Sequence, residues 1–289
     1  MTLLGAGVLT GPDYFIVAGY FALMLGIGFY FYRFMKGLKD YFSGGNRIPW
    51  WLSGVSFYMT SFSAYAFIAY SALAYSYGWV GVTLLWISGA ATMVSVTFFA
   101  KRWRRARIDS PVEYLEGRYS PAVRQLFAWH GVPVRVFDDA LKLIATGTFL
   151  SVGLGLDMRT SMIVSGGIML AYTLMGGLWA VAVTDFVQFI VLTCAIVILL
   201  PLAFIRAGGV GAVIHHSPPG FFHLVSPEYN WVYIGSNLVL ASICFSSLHW
   251  PLVQRYYCVP TERDAQKVGW LVVVLYFIGP PLMILPAVA

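Results

Sequence analysis

From Ile48 to Ala100 the chain runs for 53 residues without one charged side chain. About 20 apolar residues, each rising 1.5 Å, cross the hydrocarbon of a bilayer. The run therefore holds two crossings, divided near Tyr77-Gly78-Trp79. Only 10% of the 289 residues are charged and 59% are hydrophobic, against roughly 25% charged in a soluble domain. This is the composition of an all-α polytopic membrane protein embedded in a lipid bilayer.

Apolar runs elsewhere give the rest of the predicted organisation. A first helix occupies 1–33 and a loop 34–48. Spans follow at 49–78, 80–100, 133–156, 160–179 and 184–205, with a connector at 101–132. A loop at 206–229 precedes two more helices in 230–289. One set of alternate connectors holds Arg33, Lys36, Lys39, Arg47, Lys101, Arg102, Arg104, Arg105, Arg107, Arg118, Arg124, Arg255, Arg263 and Lys267; the other holds Arg159 and Arg206. Cytoplasmic loops carry the excess of Lys and Arg, so the N-terminus is expected outside and the KRWRRAR loop inside. The net charge of +6 is thus a topology signal, not a nucleic-acid surface. In the connector, Ser110-Pro111-Val112-Glu113 has capping-box spacing and Ser120-Pro121 starts another short helix. His215, His216 and His223 read as a solvated loop rather than a metal site, and three scattered cysteines set no disulfide framework. Met1 to Gly11 lacks the features of a cleaved signal peptide.

Inside the first crossing of the charge-free run, Met59-Thr60-Ser61-Phe62-Ser63-Ala64 gathers hydroxyls and small side chains at mid-span. Two readings are open. The helix breaks there and turns backbone oxygens toward a cavity, since lipid cannot satisfy freed peptide groups. Alternatively it continues, with Ser and Thr bonding back to the preceding turn. Span seven carries a parallel signal, because Pro251 removes a helix hydrogen bond and disfavours helix at Trp250.

Asp185 is the only acid between Asp157 and Glu228. A carboxylate within a span is costly and commonly functional; the plainer alternative is a cap on the sixth helix, beside Thr184. Asp138, Asp139 and Lys142 sit in the fourth span. Pairing within the helix, Asp138–Lys142 and Asp139–Lys142 with Arg135–Asp139 below, is one reading. The other turns Lys142 into the cavity toward an anionic solute.

Three segments carry a resemblance to a known family: DYFSGGNRIPWW from Asp40, GGLWAVAVTDFVQ from Gly176, and Gln254-Arg255 followed by Ala265-Gln266-Lys267. Together, in this order, they resemble the sodium:solute symporter family. The resemblance implies a leucine-transporter-like (LeuT-like) inverted-repeat bundle of five plus five helices preceded by an extra one. On this sequence it reads as truncated after about eight transmembrane helices. It further implies Na+ as coupling ion, held by the carbonyls of Met59 and Phe62, the hydroxyl of Ser63, and Asp185 as a second sodium or exit-path residue. Thr60, Ser61, Ser63, Lys142, Ser242 and Ser246 would meet the solute. Where the sugar branch of the family carries amide, glutamate and lysine side chains, this sequence has Ala66, Leu85, Ser242 and Tyr276. Unpaired polyol hydroxyls are costly to bury, so carboxylates or amino acids are expected in preference to sugars. The expected function is sodium-coupled import of a small organic solute by alternating access. The alternatives are the membrane input module of a sensor histidine kinase and an inactive truncated or split fragment. A membrane enzyme ranks last, with no HExxH, nucleophile arrangement or cofactor fingerprint in the sequence.

Overall fold

The computed structural model describes residues 11–61 and 64–288. Thirteen α-helices and no strand occur among them. These are α1 (Gly11–Tyr32), α2 (Leu38–Ser43), α3 (Trp50–Thr60), α4 (Ala64–Tyr77), α5 (Val80–Phe98), α6 (Ala100–Arg105), α7 (Pro111–Arg118), α8 (Pro121–Leu154), α9 (Met158–Arg206), α10 (Val210–His216), α11 (Trp231–Ile243), α12 (Trp250–Tyr257) and α13 (Glu262–Val288). Five helical segments among the described residues are long and apolar enough to cross a membrane: α1, α5, α9, Trp231–Leu248 and Glu262–Pro286. The others expected to span miss that test for physical reasons. Helices α3 and α4 have 11 and 14 residues each, and α8 carries Arg135, Asp138, Asp139 and Lys142. The 49 residues of α9 are two helical stretches joined at Gly177, together enough for two crossings of a ~30 Å core.

Two compact units divide the chain. The first contains α1, α2, α7, α8 and α9 as far as Thr184. Its α2 ends in a short 3-10 turn, Gly44–Asn46, where Gly44, Gly45 and Asn46 have φ of 58°, 64° and 56°. Three left-handed residues in succession need side chains that tolerate positive φ, which glycine and asparagine supply. In α9 the bend sits at Gly177, φ 53° and ψ −149°, a region almost closed to other residues. A Cβ there would lie 2.8 Å from the Tyr41 carbonyl oxygen. The Trp179 indole donates to the Gly44 carbonyl at 3.1 Å, and the Tyr41 hydroxyl to the Thr173 carbonyl at 3.2 Å. Two of the motif segments thus pack against one another.

Two expected boundaries move. The turn between spans five and six, expected after Trp179, falls at Gly177, because backbone conformation rather than polarity decides it. Helix α8 starts at Pro121 and continues through Pro133, so residues 121–132 extend the expected span instead of forming a separate short helix. Ser120 Oγ accepts from the Val123 amide at 3.3 Å and Pro121 fits the first helical position, while Pro133 removes a single helix bond.

The second unit holds α3, most of α4, α5, α6, α9 from Asp185, and α10 to α13. Residues Leu52 to Tyr58 of α3 are all buried, so this helix is enclosed on every side. Small residues bring its neighbours close: Gly54 faces Leu271, Gly89 faces Tyr276 and Phe277, and Gly269 faces Val96. The rings of Trp51 and Tyr58 on α3 meet Phe186 and Phe189 on α9, at 5.2 and 6.2 Å between centroids.

Candidate functional site

Helix α3 stops at Thr60, and the Ser61 amide closes a tight turn onto the Tyr58 carbonyl at 3.2 Å. A new helix begins at Ala64. An α-helix leaves its last four carbonyls without partners inside the helix; Met59 belongs to that last turn, and the Ser61 amide leans on its carbonyl as well as on that of Tyr58. Phe62 and Ser63, expected to supply a carbonyl and a hydroxyl to an ion, lie outside the described residues.

The hydroxyls leading to this end share one face of α3, at i, i+3 and i+7. Ser53 donates to the Arg255 carbonyl at 2.7 Å. Ser56 donates to Asp185 Oδ2, and Thr60 bonds back to the Ser56 carbonyl at 2.7 Å. From α12, Arg255 enters the same cluster. Its Nε donates to Ser56 Oγ at 2.9 Å and its Nη2 to Thr60 Oγ1 at 3.3 Å. Nη1 donates to Gln254 Oε1 at 3.0 Å, and Nη2 stands 3.8 Å from Asp185 Oδ2. The Arg255 and Asp185 side chains are 4% and 15% exposed. Asp185 therefore does not cap its helix: it lies eight residues beyond the bend at Gly177 and its carboxylate faces a buried guanidinium.

A second interruption occurs after α11. Cys244–Leu248 forms a π-turn, closed by the His249 amide on the Cys244 carbonyl at 2.8 Å. His249 itself is non-helical, with φ −86° and ψ 81°, and α12 restarts at Trp250 with Pro251 in its first turn. Carbonyls freed within protein at membrane depth need partners, and here they find them. Ser95 Oγ donates to the Phe245 carbonyl at 3.2 Å and Trp103 Nε1 to the Ser246 carbonyl at 2.7 Å. The basic loop is therefore a clamp as well as a charge signal: Arg104 donates to the Val259 and Pro260 carbonyls at 2.6 and 2.9 Å, and Arg105 pairs with Glu262 at 2.7 Å.

Five buried hydroxyls of this unit, those of Ser61, Ser71, Ser246, Tyr256 and Tyr276, make no hydrogen bond of ordinary geometry among the described residues, although the Tyr276 hydroxyl stands near that of Ser61 and the Tyr256 hydroxyl near that of Ser95. Buried polar groups are rarely left unpaired, and an exception asks for a ligand or water. Ser61 and Ser246 were expected at the solute, and Tyr276 at a cavity position matching the sugar branch; Tyr256 was not marked, though an isolated tyrosine in an apolar run is a readable signal. Thr60 and Ser242 are engaged within their helices, Ser242 donating to the Leu238 carbonyl at 2.7 Å. In the first unit, Lys142 Nζ pairs with Asp138 at 2.8 Å and Asp139 at 3.8 Å, while Arg135 goes to Asp138 at 3.2 Å rather than to Asp139. Lys142 stands about 32 Å along α8 from its start at Pro121. His215 and His216 close the short helix α10, and no cluster of three or more metal-ligating side chains occurs among the described residues.

Comparison with known proteins decides what this architecture is. The model of the sodium:solute symporter family matches residues 41–218. The chain belongs to the sodium:solute symporter family. Members of this family are integral membrane transporters, not enzymes. The chain is 27% identical over 263 residues to the sodium/sialic acid symporter of Proteus mirabilis, covering 88% of this chain and 53% of that protein. It is 26% identical over 297 residues to the sodium/glucose cotransporter of Vibrio parahaemolyticus, covering 96% and 54%. The structure of a Na+-coupled sialic acid symporter in a substrate-bound outward-open state superposes with a TM-score of 0.87 at 24% identity, over 95% of this chain and 59% of that one. The fold is therefore the LeuT-like one. The chain spans about half the length of the curated relatives it matches.

Proposed function

We propose that this protein couples entry of sodium to import of a small organic solute by alternating access. The observation that carries the reading is the pair of interrupted helices in one unit, each with a buried hydroxyl beside the break that lacks a partner in ordinary hydrogen-bond geometry: Ser61 after α3, with the Tyr276 hydroxyl near it, and Ser246 in the π-turn. Transporters of this kind bind ion and solute where helices unwind. Sodium would take the carbonyls of Met59 and Phe62, the hydroxyl of Ser63 and, at a second position, Asp185. The solute would meet Thr60, Ser61, Ser63, Ser242 and Ser246, with Lys142 receiving an anionic group and the buried Tyr276 hydroxyl as a further contact.

A carboxylate-bearing solute is the finer part of the proposal. Hydroxyls left unbonded can all donate at once, which suits a group that only accepts. The relatives include a glucose cotransporter as well as a sialic acid symporter, so they do not favour it. Uptake of radiolabelled carboxylates, amino acids and neutral sugars, with and without sodium, tests both parts in cells expressing the intact gene. Sodium-stimulated uptake of an acid is expected, and Lys142→Ala should depress it while sparing a neutral solute. No sodium stimulation for any solute would end the transport reading.

The distribution of Lys and Arg supports an N-terminus outside and the α6 segment in the cytoplasm. A cysteine in place of Arg102, an exposed residue, should react with an impermeant maleimide only after the cells are permeabilised. Labelling of intact cells would reverse the orientation.

A further inference from the structure

We infer that Arg255 is a tethered counter-ion that sets the sodium affinity of Asp185; the inference rests on the reading of Asp185 as a sodium ligand. Both contacts of the carboxylate among the described residues fall on Oδ2, from Ser56 and Arg255. Oδ1 is left to a cation. The guanidinium is not in optimal contact with the carboxylate: at 3.8 Å it stands about an ångström beyond a charge-assisted hydrogen bond. Three neutral oxygens hold it there, Ser56 Oγ, Thr60 Oγ1 and Gln254 Oε1. A structural ion pair of Arg with Asp would be expected to close to a direct, commonly bidentate contact. The observed geometry instead balances the charge of Asp185 while leaving part of its coordination sphere open. A fixed positive charge so near, with little water between, weakens any second cation on the same carboxylate. Sodium then binds Asp185 loosely enough to leave again, and Arg255 keeps the buried carboxylate compensated after it has left. Thr60 joins this arrangement to the end of α3, so the position of the guanidinium responds to the broken helix itself.

The test is equilibrium binding of radiolabelled sodium to the purified protein, with uptake rates measured in parallel. Arg255→Gln should tighten sodium binding at the Asp185-dependent site by about tenfold or more and lower the maximal uptake rate. Arg255→Lys should restore values near the parent's. An unchanged or weaker sodium affinity in folded Arg255→Gln overturns the inference. If that variant does not fold, Thr60→Val carries the test. It removes the Nη2 acceptor, allows the guanidinium onto the carboxylate, and should weaken sodium binding severalfold; an unchanged or tighter affinity overturns the proposal. Asp185→Asn in the same assay separates the two ideas. If it leaves sodium binding intact, the ligand reading of Asp185 fails; if it abolishes binding while Arg255→Gln weakens it, only the role given to Arg255 fails.

Discussion

Asp185→Asn is expected to weaken sodium stimulation of uptake by at least about tenfold and to destabilise the protein by roughly 3 kcal/mol. The second effect follows from the surroundings of the carboxylate. Arg255 is 3% exposed, and removing one member of a buried ion pair leaves the other uncompensated at about 3–5 kcal/mol. The lower end applies here, because the guanidinium keeps hydrogen bonds to Ser56, Thr60 and Gln254 and the asparagine oxygen still accepts from Ser56. Thermal unfolding of the purified parent, Asp185→Asn, Arg255→Met and the double variant gives the coupling directly. Residues in one network couple by about 0.5–3 kcal/mol, so the double variant should be less destabilised than the two single losses added. Loss of stability with the sodium dependence unchanged would make Asp185 a brace between α3, α9 and α12 and nothing more. Additive losses would show that the two charges do not feel one another.

How much of this arrangement is readable from residue order varies with the range of the interaction involved. The end of α3 at Thr60 was signalled by hydroxyls and small residues at mid-span, and the restart at Trp250 by Pro251. Both signals are local, a matter of which side chains satisfy or block the backbone. The bend in α9 is local too, but it was expected after Trp179 and lies at Gly177. A backbone angle open only to glycine leaves no mark in hydropathy. In α8, Pro133 was read as a boundary; one missing amide is too small a loss to end a helix that Ser120 and Pro121 start well. The pairing of Asp185 with Arg255 was not legible, because the partners sit on separate helices and Arg255 was counted among loop charges that set orientation. Arg104, Arg105 and Trp103 have a role that was hidden in the same way. Their residue types fit a membrane border, and only the fold shows that they hold the carbonyls of the second break and of the Val259–Pro260 corner.

Tyr276→Phe should move stability and binding in opposite directions, which separates a ligand contact from a structural one. The hydroxyl is buried, 2% exposed as a residue, and makes no hydrogen bond of ordinary geometry among the described residues, with only the Ser61 hydroxyl standing near it as a weak partner. Leaving such a group unsatisfied costs about 1–3 kcal/mol. Phenylalanine keeps the ring against Tyr58 and Phe245, at 5.2 and 6.2 Å between centroids, so the packing survives and the penalty disappears. The ligand-free variant should therefore melt higher than the parent, by about 1 kcal/mol or more. If the hydroxyl serves the solute, the same change removes a hydrogen bond worth about 0.5–1.5 kcal/mol, and solute affinity should fall roughly two- to tenfold. The stabilisation that saturating solute gives the parent should shrink by the same amount. Ser161 supplies the control, since its hydroxyl is also buried and unbonded but lies in the first unit, outside the residues assigned to ion or solute. Ser161→Ala should raise the melting temperature and leave uptake unchanged. A Tyr276→Phe protein that melts lower without solute would mean that the hydroxyl already bonds an ordered water, and Tyr276 would then leave the proposed solute site.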